Sequence, residues 1–204
     1  MGIAERRERE KHNLRQEILD AASELFAREG YANVSMRKIA EQIEYSPTTI
    51  YLYFKDKTDL LKQICEETFG KLIETVAAIE RAGVGEPLDC LRKGMRAYID
   101  FGLRHPYHYE VTLITPLAGA INQEDYPYEG SAGQQAFEYI VRQVGRGMEL
   151  GQFRPGDVAT VSQAIWAAIH GVTALMISHP DFPFVDREAL IEQVVEMTIK
   201  GLQS

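Results

Sequence analysis

The 204-residue chain has an ordinary composition, with 45% hydrophobic and 25% charged residues, which suits one globular domain or two small ones. Its formal net charge of −8 would by itself argue against a nucleic acid as partner. The charge is uneven, however. Residues 1–62 hold eleven of the 22 basic and eleven of the 30 acidic residues, so the whole excess lies in residues 63–204. The two parts are therefore expected to meet different partners.

The cysteine count and the N-terminus predict a cytoplasmic protein. Cys65 and Cys90 are far apart on helical patterns, without the spacing of a metal site or the density of a disulfide scaffold. The start MGIAERRERE lacks the apolar stretch of a signal peptide. Residues 158–180 are uncharged and long enough to span a bilayer, but polar residues interrupt them and no basic cluster flanks them. This segment favours a helix buried in a core or in a subunit interface.

Apolar residues recur at spacings of three and four along the chain, and no run alternates as a half-buried strand would. The pattern predicts an all-α fold of about nine helices. The first helix carries one apolar stripe, formed by Leu14, Ile18, Ala22, Leu25 and Phe26, and Gly30 closes it. Later helices are expected at about 86–104, 106–115, 131–150, 157–179 and 186–202, with one long loop at 116–130.

The stretch SMRKIAEQIEYSPTTIYLYFKDK, residues 35–57, predicts two short helices joined by a tight turn. Ser35 suits the N-cap of the first, and Ser46 suits that of the second, with Pro47 at the first helical position. Asp56 would cap a further helix. Such a pair is typical of a helix-turn-helix, whose second helix enters the DNA major groove, although short helix pairs also occur as plain structure. Side chains suited to phosphates or base edges are Arg37, Thr48, Thr49, Tyr51, Tyr53 and Lys57.

The same stretch resembles the N-terminal domain of the tetracycline-repressor (TetR) family. The matching residues are Arg37, Ile39-Ala40, Ser46, Thr49, Tyr51-Leu52-Tyr53-Phe54 and Lys57, together with LFAREGY at the end of the preceding helix. The resemblance implies a three-helix DNA-binding domain at 1–56 and a helical effector-binding and dimerisation domain at 57–204. It also implies that DNA is contacted by Ser35, Arg37, Ser46, Pro47, Thr48, Thr49, Tyr51, Tyr53 and Lys57. Tyr45, in the turn before Ser46, is expected to add a contact beside the groove. In this assignment Ser35 and Lys57 contact phosphates.

One turn departs from the family pattern at two positions. The turn reads Glu44-Tyr45 where the family usually has Gly-Val. If Glu44 takes a positive φ, the strain is about 1 kcal/mol, which glycine would avoid. Alternatively the turn differs, and it then aims the recognition helix differently.

The segment AIWAAIHGVTALM resembles the variant of the family's C-terminal domain that is marked by Trp, His and Gly, here Trp166, His170 and Gly171. A small-residue surface runs along this helix through Ala164, Ala167, Ala168, Gly171 and Ala174. The last helix offers an apolar stripe of Leu190, Ile191, Val194, Val195 and Thr198. The resemblance implies a homodimer through these last two helices, which would let two recognition helices read a palindromic operator in double-stranded DNA.

The middle helices carry several aromatic residues, and the resemblance implies an effector pocket among them. The predicted ligand-binding residues are Tyr98, Phe101, His105, Tyr109, Trp166 and His170. Aromatic residues at helical spacing are also ordinary core residues, so this alternative stays open. The sequence thus predicts a transcriptional regulator, by resemblance a repressor, that a small molecule releases from DNA. No cofactor or metal is expected.

Other classes of function find less support in the sequence. An enzyme is disfavoured because G-x-S-x-G, a phosphate loop and H-E-x-x-H are missing, and the glycines of GRGMELG are spaced one residue too far apart for a dinucleotide site. His105, His108 and Glu110 leave a metal-sensing regulator open, and the two cysteines leave a thiol sensor open. A helical protein-interaction module without DNA binding is a further alternative.

Overall fold

The protein is all-helical in its computed structural model, which describes residues 2–82, 86–115, 120–122 and 124–203. Within these residues there are nine α-helices and no strand, which confirms the predicted fold class. The α-helices are α1 Ile3–Glu29, α2 Met36–Gln42, α3 Pro47–Tyr51, α4 Lys57–Ala82, α5 Pro87–Arg104, α6 Pro106–Tyr109, α7 Ala132–Glu149, α8 Val158–Ser178 and α9 Arg187–Leu202. A 3-10 turn, Tyr31–Asn33, precedes α2, and a π-helical turn, Glu110–Ile114, follows α6.

The helices form two compact units that interleave along the chain. The first comprises Met1–Thr68 and Tyr107–Pro127, and the second comprises Phe69–Pro106 and Tyr128–Ser204. The domain boundary after residue 56 stays a prediction; in the structure the opening turns of α4 are buried in the core of the first unit. α4 is thus one continuous helix whose first turns belong to the first unit and whose remainder belongs to the second.

The first unit has a core of apolar side chains from α1, α2, α3 and the start of α4. In the predicted α1 stripe, Ile18 and Ala22 are fully buried and Leu14 is half-buried at the edge of the core. The chain returns to this unit after α5, where Ile121 joins the core and the Tyr126 hydroxyl donates to Glu66 Oε1 at 2.7 Å. The predicted loop at 116–130 lies partly outside the described residues, at 116–119 and 123.

The predicted N-caps of the short helices are confirmed. Ser35 Oγ accepts the Lys38 backbone N–H at 3.2 Å, and Ser46 Oγ accepts that of Thr49 at 3.2 Å. Each bond satisfies one of the donors that a helix start leaves without an intrahelical partner. Asp56 caps α4 in the same way, with its Oδ1 2.8 Å from the Asp59 nitrogen. Local hydrogen bonding therefore fixes where α2, α3 and α4 begin.

The turn between α2 and α3 has φ 59° at Glu44, the one positive φ among described residues other than glycine. The Tyr45 N–H donates to Ala40 O at 2.9 Å and the Glu44 N–H to Glu41 O at 3.3 Å. These two bonds are those of a Schellman C-cap, in which glycine usually occupies the left-handed position. The first of the two expectations for this turn is therefore correct: Glu44 takes a positive φ.

Replacing Glu44 with Gly is expected to raise the free energy of unfolding by less than about 1 kcal/mol. The left-handed strain of a residue with a Cβ is relieved, and the greater freedom of glycine in the unfolded chain offsets part of that gain. Urea denaturation of both proteins measures the difference. Glu44→Ala is the matched control, since it removes the same charge but keeps the Cβ. A Gly variant no more stable than the Ala variant would show that the φ strain at this turn does not exceed the entropy that glycine loses on folding.

The second unit is built around α5, which packs against α7, α8 and α9. The α5–α7 contact is close because Gly94 leaves room for the ring of Tyr139; a Cβ at position 94 would lie 2.4 Å from that ring. The Tyr139 hydroxyl donates to Cys90 O at 2.5 Å. α8 is long and apolar enough to cross a membrane by composition, but it packs against α5, α7 and α9 and buries Ile165 and Ile169. It is a structural helix of this unit.

Candidate DNA-binding surface

The helix-turn-helix presents a polar face over a buried apolar one. Ile39 of α2 and Ile50 of α3 are fully buried, and Phe54 is 1% exposed, so these three hold the two helices against α1 and α4. Seven predicted contact residues are exposed: Ser35, Arg37, Tyr45, Ser46, Pro47, Thr48 and Tyr51. One face of α3 is therefore packed against the core and the other is accessible, as a recognition helix requires.

The predicted contact residues differ in how much of each side chain remains available. Tyr51 is 54% exposed, whereas Tyr53 is half-buried against the core of the first unit. The guanidinium of Arg37 is exposed and its Nε donates to Glu41 Oε1 at 2.9 Å. The Thr49 hydroxyl lies 2.9 Å from Ser46 Oγ. Tyr51, Tyr45 and Arg37 are thus the long side chains of this face that remain exposed.

Lys57 has a different environment from the other predicted contacts. Its Nζ donates to Tyr31 O at 2.7 Å and to Val34 O at 2.8 Å. Burial lowers its pKa from the usual lysine value. The predicted phosphate contact stays a prediction, but in this structure the ammonium already binds two backbone carbonyls.

Sequence reasoning missed two exposed residues beside α3. Leu52 is 77% exposed, unusual for a leucine, and Lys55 is exposed two residues before Lys57. The sequence signal for Leu52 was its place between Tyr51 and Tyr53, on the side of the turn away from Ile50 and Phe54. An exposed apolar side chain and a neighbouring lysine suit a thymine methyl group and a phosphate respectively.

Two family models match the chain. The C-terminal model, a tetracyclin repressor-like domain, matches residues 91–198, and the N-terminal model, from bacterial regulatory proteins of the tetR family, matches residues 18–64. The chain belongs to the TetR family. The C-terminal match is to a general repressor-like domain, so the Trp-His-Gly variant stays a prediction.

Curated relatives and a solved structure agree with this family. A 91-residue stretch is 33% identical to the HTH-type transcriptional regulator AcrR of Shigella flexneri, covering 45% of this chain and 42% of that protein. A 58-residue stretch is 45% identical to the fatty acid metabolism regulator protein of Bacillus subtilis, covering 28% and 30%. The TetR-family regulator PfmR of Thermus thermophilus shares the fold, with a TM-score of 0.75 at 23% identity over 92% of this chain and 99% of that one. The chain thus spans less than half the length of these two curated relatives.

In the C-terminal unit of this TetR-family chain, three of the predicted ligand-binding residues meet. Trp166 Nε1 donates to the Tyr98 hydroxyl oxygen at 3.1 Å, and that oxygen is 3.4 Å from His170 Nδ1. An indole N–H can only donate, so the Tyr98 oxygen accepts from Trp166 and its own proton can be shared with His170. Burial lowers the pKa of His170, which favours the neutral imidazole. Phe137, which was not predicted, stacks edge-on to Trp166 at 6.1 Å.

The remaining predicted ligand-binding residues do not all join this cluster. Phe101 and His105 contact each other, with ring centroids 5.0 Å apart. Tyr109 is fully buried and belongs to the first unit. The prediction grouped it with the others because it shares their helical spacing, but the chain changes unit at residue 107. Of the six predicted residues, Tyr98, Trp166 and His170 are joined by hydrogen bonds, and the ligand-binding role of all six stays a prediction.

Gln143 is a buried polar residue that sequence reasoning passed over. It is 1% exposed, and its Nε2 donates to Glu80 Oε1 at 2.9 Å. This bond sets the amide orientation, since the opposite flip would face one acceptor with another. Gln143 Oε1 then lies buried without a hydrogen-bond partner among the described residues. A glutamine on the apolar side of α7 was the only signal in the sequence.

The structure also bears on the sensor alternatives. Burial raises the pKa of the Cys65 thiol to about 11, so it stays protonated near neutral pH and is a poor nucleophile. Within the described part of the chain, no group of three or more His, Cys, Asp or Glu side chains is placed to hold a metal ion. His108, one of the residues considered for a metal, instead lies with its Nε2 3.2 Å from Asp20 Oδ1.

Proposed function

We propose that the protein is a DNA-binding transcriptional regulator of the bacterial cytoplasm, acting as a repressor. The observation that carries the proposal is the exposed polar face of α3, held by Ile39, Ile50 and Phe54 over a buried core. Family membership supports it, since both curated relatives described above are named as regulators. Thr48 and Tyr51 would face base edges and phosphates, with Arg37 and Tyr45 at the border of the groove.

The operator would be a palindrome read by a homodimer that forms through α8 and α9. Two observations support this interface. The outward face of α8 carries small residues, and a Cβ built at Gly171 would meet nothing within 4 Å. The outward side of α9 carries Met197, which is 63% exposed. Small residues permit close helix approach, and an exposed apolar side chain gains from being covered.

A small-molecule effector would act through the second unit. α4 supports this route because it begins at the helix-turn-helix and continues into that unit. A ligand that binds more tightly when the far end of α4 takes one position would shift α4, and α3 with it, toward that position. The coupling free energy between ligand binding and DNA binding would be about 1 to 3 kcal/mol. The Tyr98–Trp166–His170 cluster supplies hydrogen-bonding groups for such a ligand.

The proposal is tested by selecting duplexes from a random pool with the purified protein. An inverted repeat should be enriched, and its affinity should fall steeply as salt is raised. Tyr51→Ala should weaken binding about tenfold or more. Tyr128→Ala is the matched control, because that tyrosine is 62% exposed but lies in the second unit. Failure to enrich any sequence, or equal effects of the two variants, would overturn DNA recognition by α3 and favour a protein-interaction module.

A further inference from the structure

Arg37 and Glu41 form an ion pair on the exposed surface of α2. Arg37 Nε donates to Glu41 Oε1 at 2.9 Å, and the two side chains are 80% and 61% exposed. Among the residues that the structure describes, the Arg37 side chain hydrogen-bonds to Glu41 alone. The ion pair therefore uses Nε and leaves both terminal amino groups, Nη1 and Nη2, available to a ligand.

The stability of α2 does not explain this ion pair. Arg37 lies in the first turn of α2 and Glu41 is the residue before its last. The N-terminal end of a helix is partially positive and the C-terminal end partially negative, so each charge lies at the end that disfavours it. Exposed pairs of this kind contribute little to stability in any case. A placement that runs against the helix dipole without a structural gain is expected where a residue serves binding.

The way in which the guanidinium is held suits the recognition of guanine. A guanidinium is planar, and its Nη1 and Nη2 form an edge separate from the Nε–H. Two parallel N–H donors on such an edge match the O6 and N7 acceptors that guanine presents in the major groove. Arg28 of α1 shows the contrasting arrangement, since Glu24 accepts from its Nη1 and so occupies that edge. Arg37 keeps the edge open while its Nε is anchored.

We infer that Glu41 is a positioning residue, which holds Arg37 for bidentate recognition of one guanine in each half of the operator. This inference rests on the proposed DNA binding, in which Arg37 lies at the border of the groove. An unanchored arginine loses rotamer freedom when it binds a base, and an anchored one loses less. Water is displaced when DNA docks, and this strengthens the attraction between the two charges.

The experiment uses duplexes in which 7-deazaguanine replaces guanine. This base lacks the N7 acceptor and keeps O6, so it removes one of the two predicted hydrogen bonds. Each guanine in one half of the selected duplex is replaced in turn. At one position the wild-type affinity should fall about tenfold, as expected for the loss of a hydrogen bond from a charged donor. Arg37→Met should bind the natural and the substituted duplex at that position equally well.

Two variants at position 41 separate the hydrogen bond from the charge. Glu41→Met and Glu41→Gln remove the same charge, so both should bind every duplex somewhat more tightly, but only glutamine keeps an acceptor of similar length. The 7-deazaguanine penalty should shrink about two- to fivefold in Glu41→Met and stay near the wild-type value in Glu41→Gln. Each penalty is a ratio of two affinities measured on one preparation, so differences in the active fraction cancel.

Glu10→Met is the matched control. Arg6 Nε donates to Glu10 Oε1 at 2.7 Å, with the same spacing and a similar exposure, in a part of α1 outside the helix-turn-helix. This variant should leave the penalty unchanged. Equal penalties in Glu41→Met and Glu41→Gln would overturn the positioning role. If no guanine shows a penalty that depends on Arg37, the inference also fails, while the proposed function stands. If the wild-type chain enriches no duplex, the proposed function fails and the inference fails with it.

Discussion

Replacing Ala167 with Glu is expected to abolish dimerisation and to weaken operator binding about 100-fold or more. Ala167 is exposed on the outward face of α8, between the exposed Ala164 and the half-exposed Gly171. In the proposed interface a glutamate here would be buried against a neighbouring helix, once from each protomer, without a partner. Burying an unpaired charge is strongly unfavourable. Loss of the dimer removes the avidity of two linked recognition helices, which is worth about 100- to 10,000-fold.

Sedimentation equilibrium measures the first part of this prediction and duplex titration the second. Gln135→Glu is the control, because it adds the same charge at an exposed helical position on α7. That variant should remain a dimer with wild-type affinity. A dimeric Ala167→Glu protein would show that the chains associate through another surface, and the proposed role of α8 would have to be abandoned.

Local patterns were enough to predict the helices. The predicted ranges 86–104 and 157–179 compare with α5 Pro87–Arg104 and α8 Val158–Ser178. The agreement is this close because caps and breakers sit in the sequence at the helix ends: Asp157 Oδ2 accepts the Thr160 backbone N–H at the start of α8, and Pro106 follows the end of α5. The burial of Ile39 and Ile50 followed from the same periodicity.

Contacts between distant segments could not be predicted in this way. The partners of Lys57 Nζ lie 26 and 23 residues earlier in the chain, and no periodic pattern marks a backbone carbonyl as an acceptor. The return of residues 107–127 to the first unit could not be predicted for a similar reason. Tyr109 and Ile121 are apolar and would be buried equally well in either unit, so only the path of the chain assigns them.

Two glycines of GRGMELG, Gly145 and Gly147, lie in α7 but have different surroundings. Their spacing does not fit a phosphate-binding loop, and the structure gives one of them a packing role. A Cβ built at Gly147 would lie 2.2 Å from the ring of Phe153, which is 2% exposed. A Cβ at Gly145, two residues earlier in α7, would meet nothing within 4 Å. The same substitution should therefore have opposite effects at the two positions.

Gly147→Ala is expected to lower the free energy of unfolding by about 2 kcal/mol, because the buried Phe153 ring must move and overpacking of this kind costs about 1 to 3 kcal/mol. Gly145→Ala should raise it by up to about 1 kcal/mol, since alanine is the better helix former and no side chain obstructs it. Urea denaturation of the three proteins gives both signs. If both variants were stabilised, the Phe153 ring would have to be able to move aside without loss, and Gly147 would have no packing role. The opposite signs would show that close contact with Phe153, and not helix propensity, determines the residue at 147.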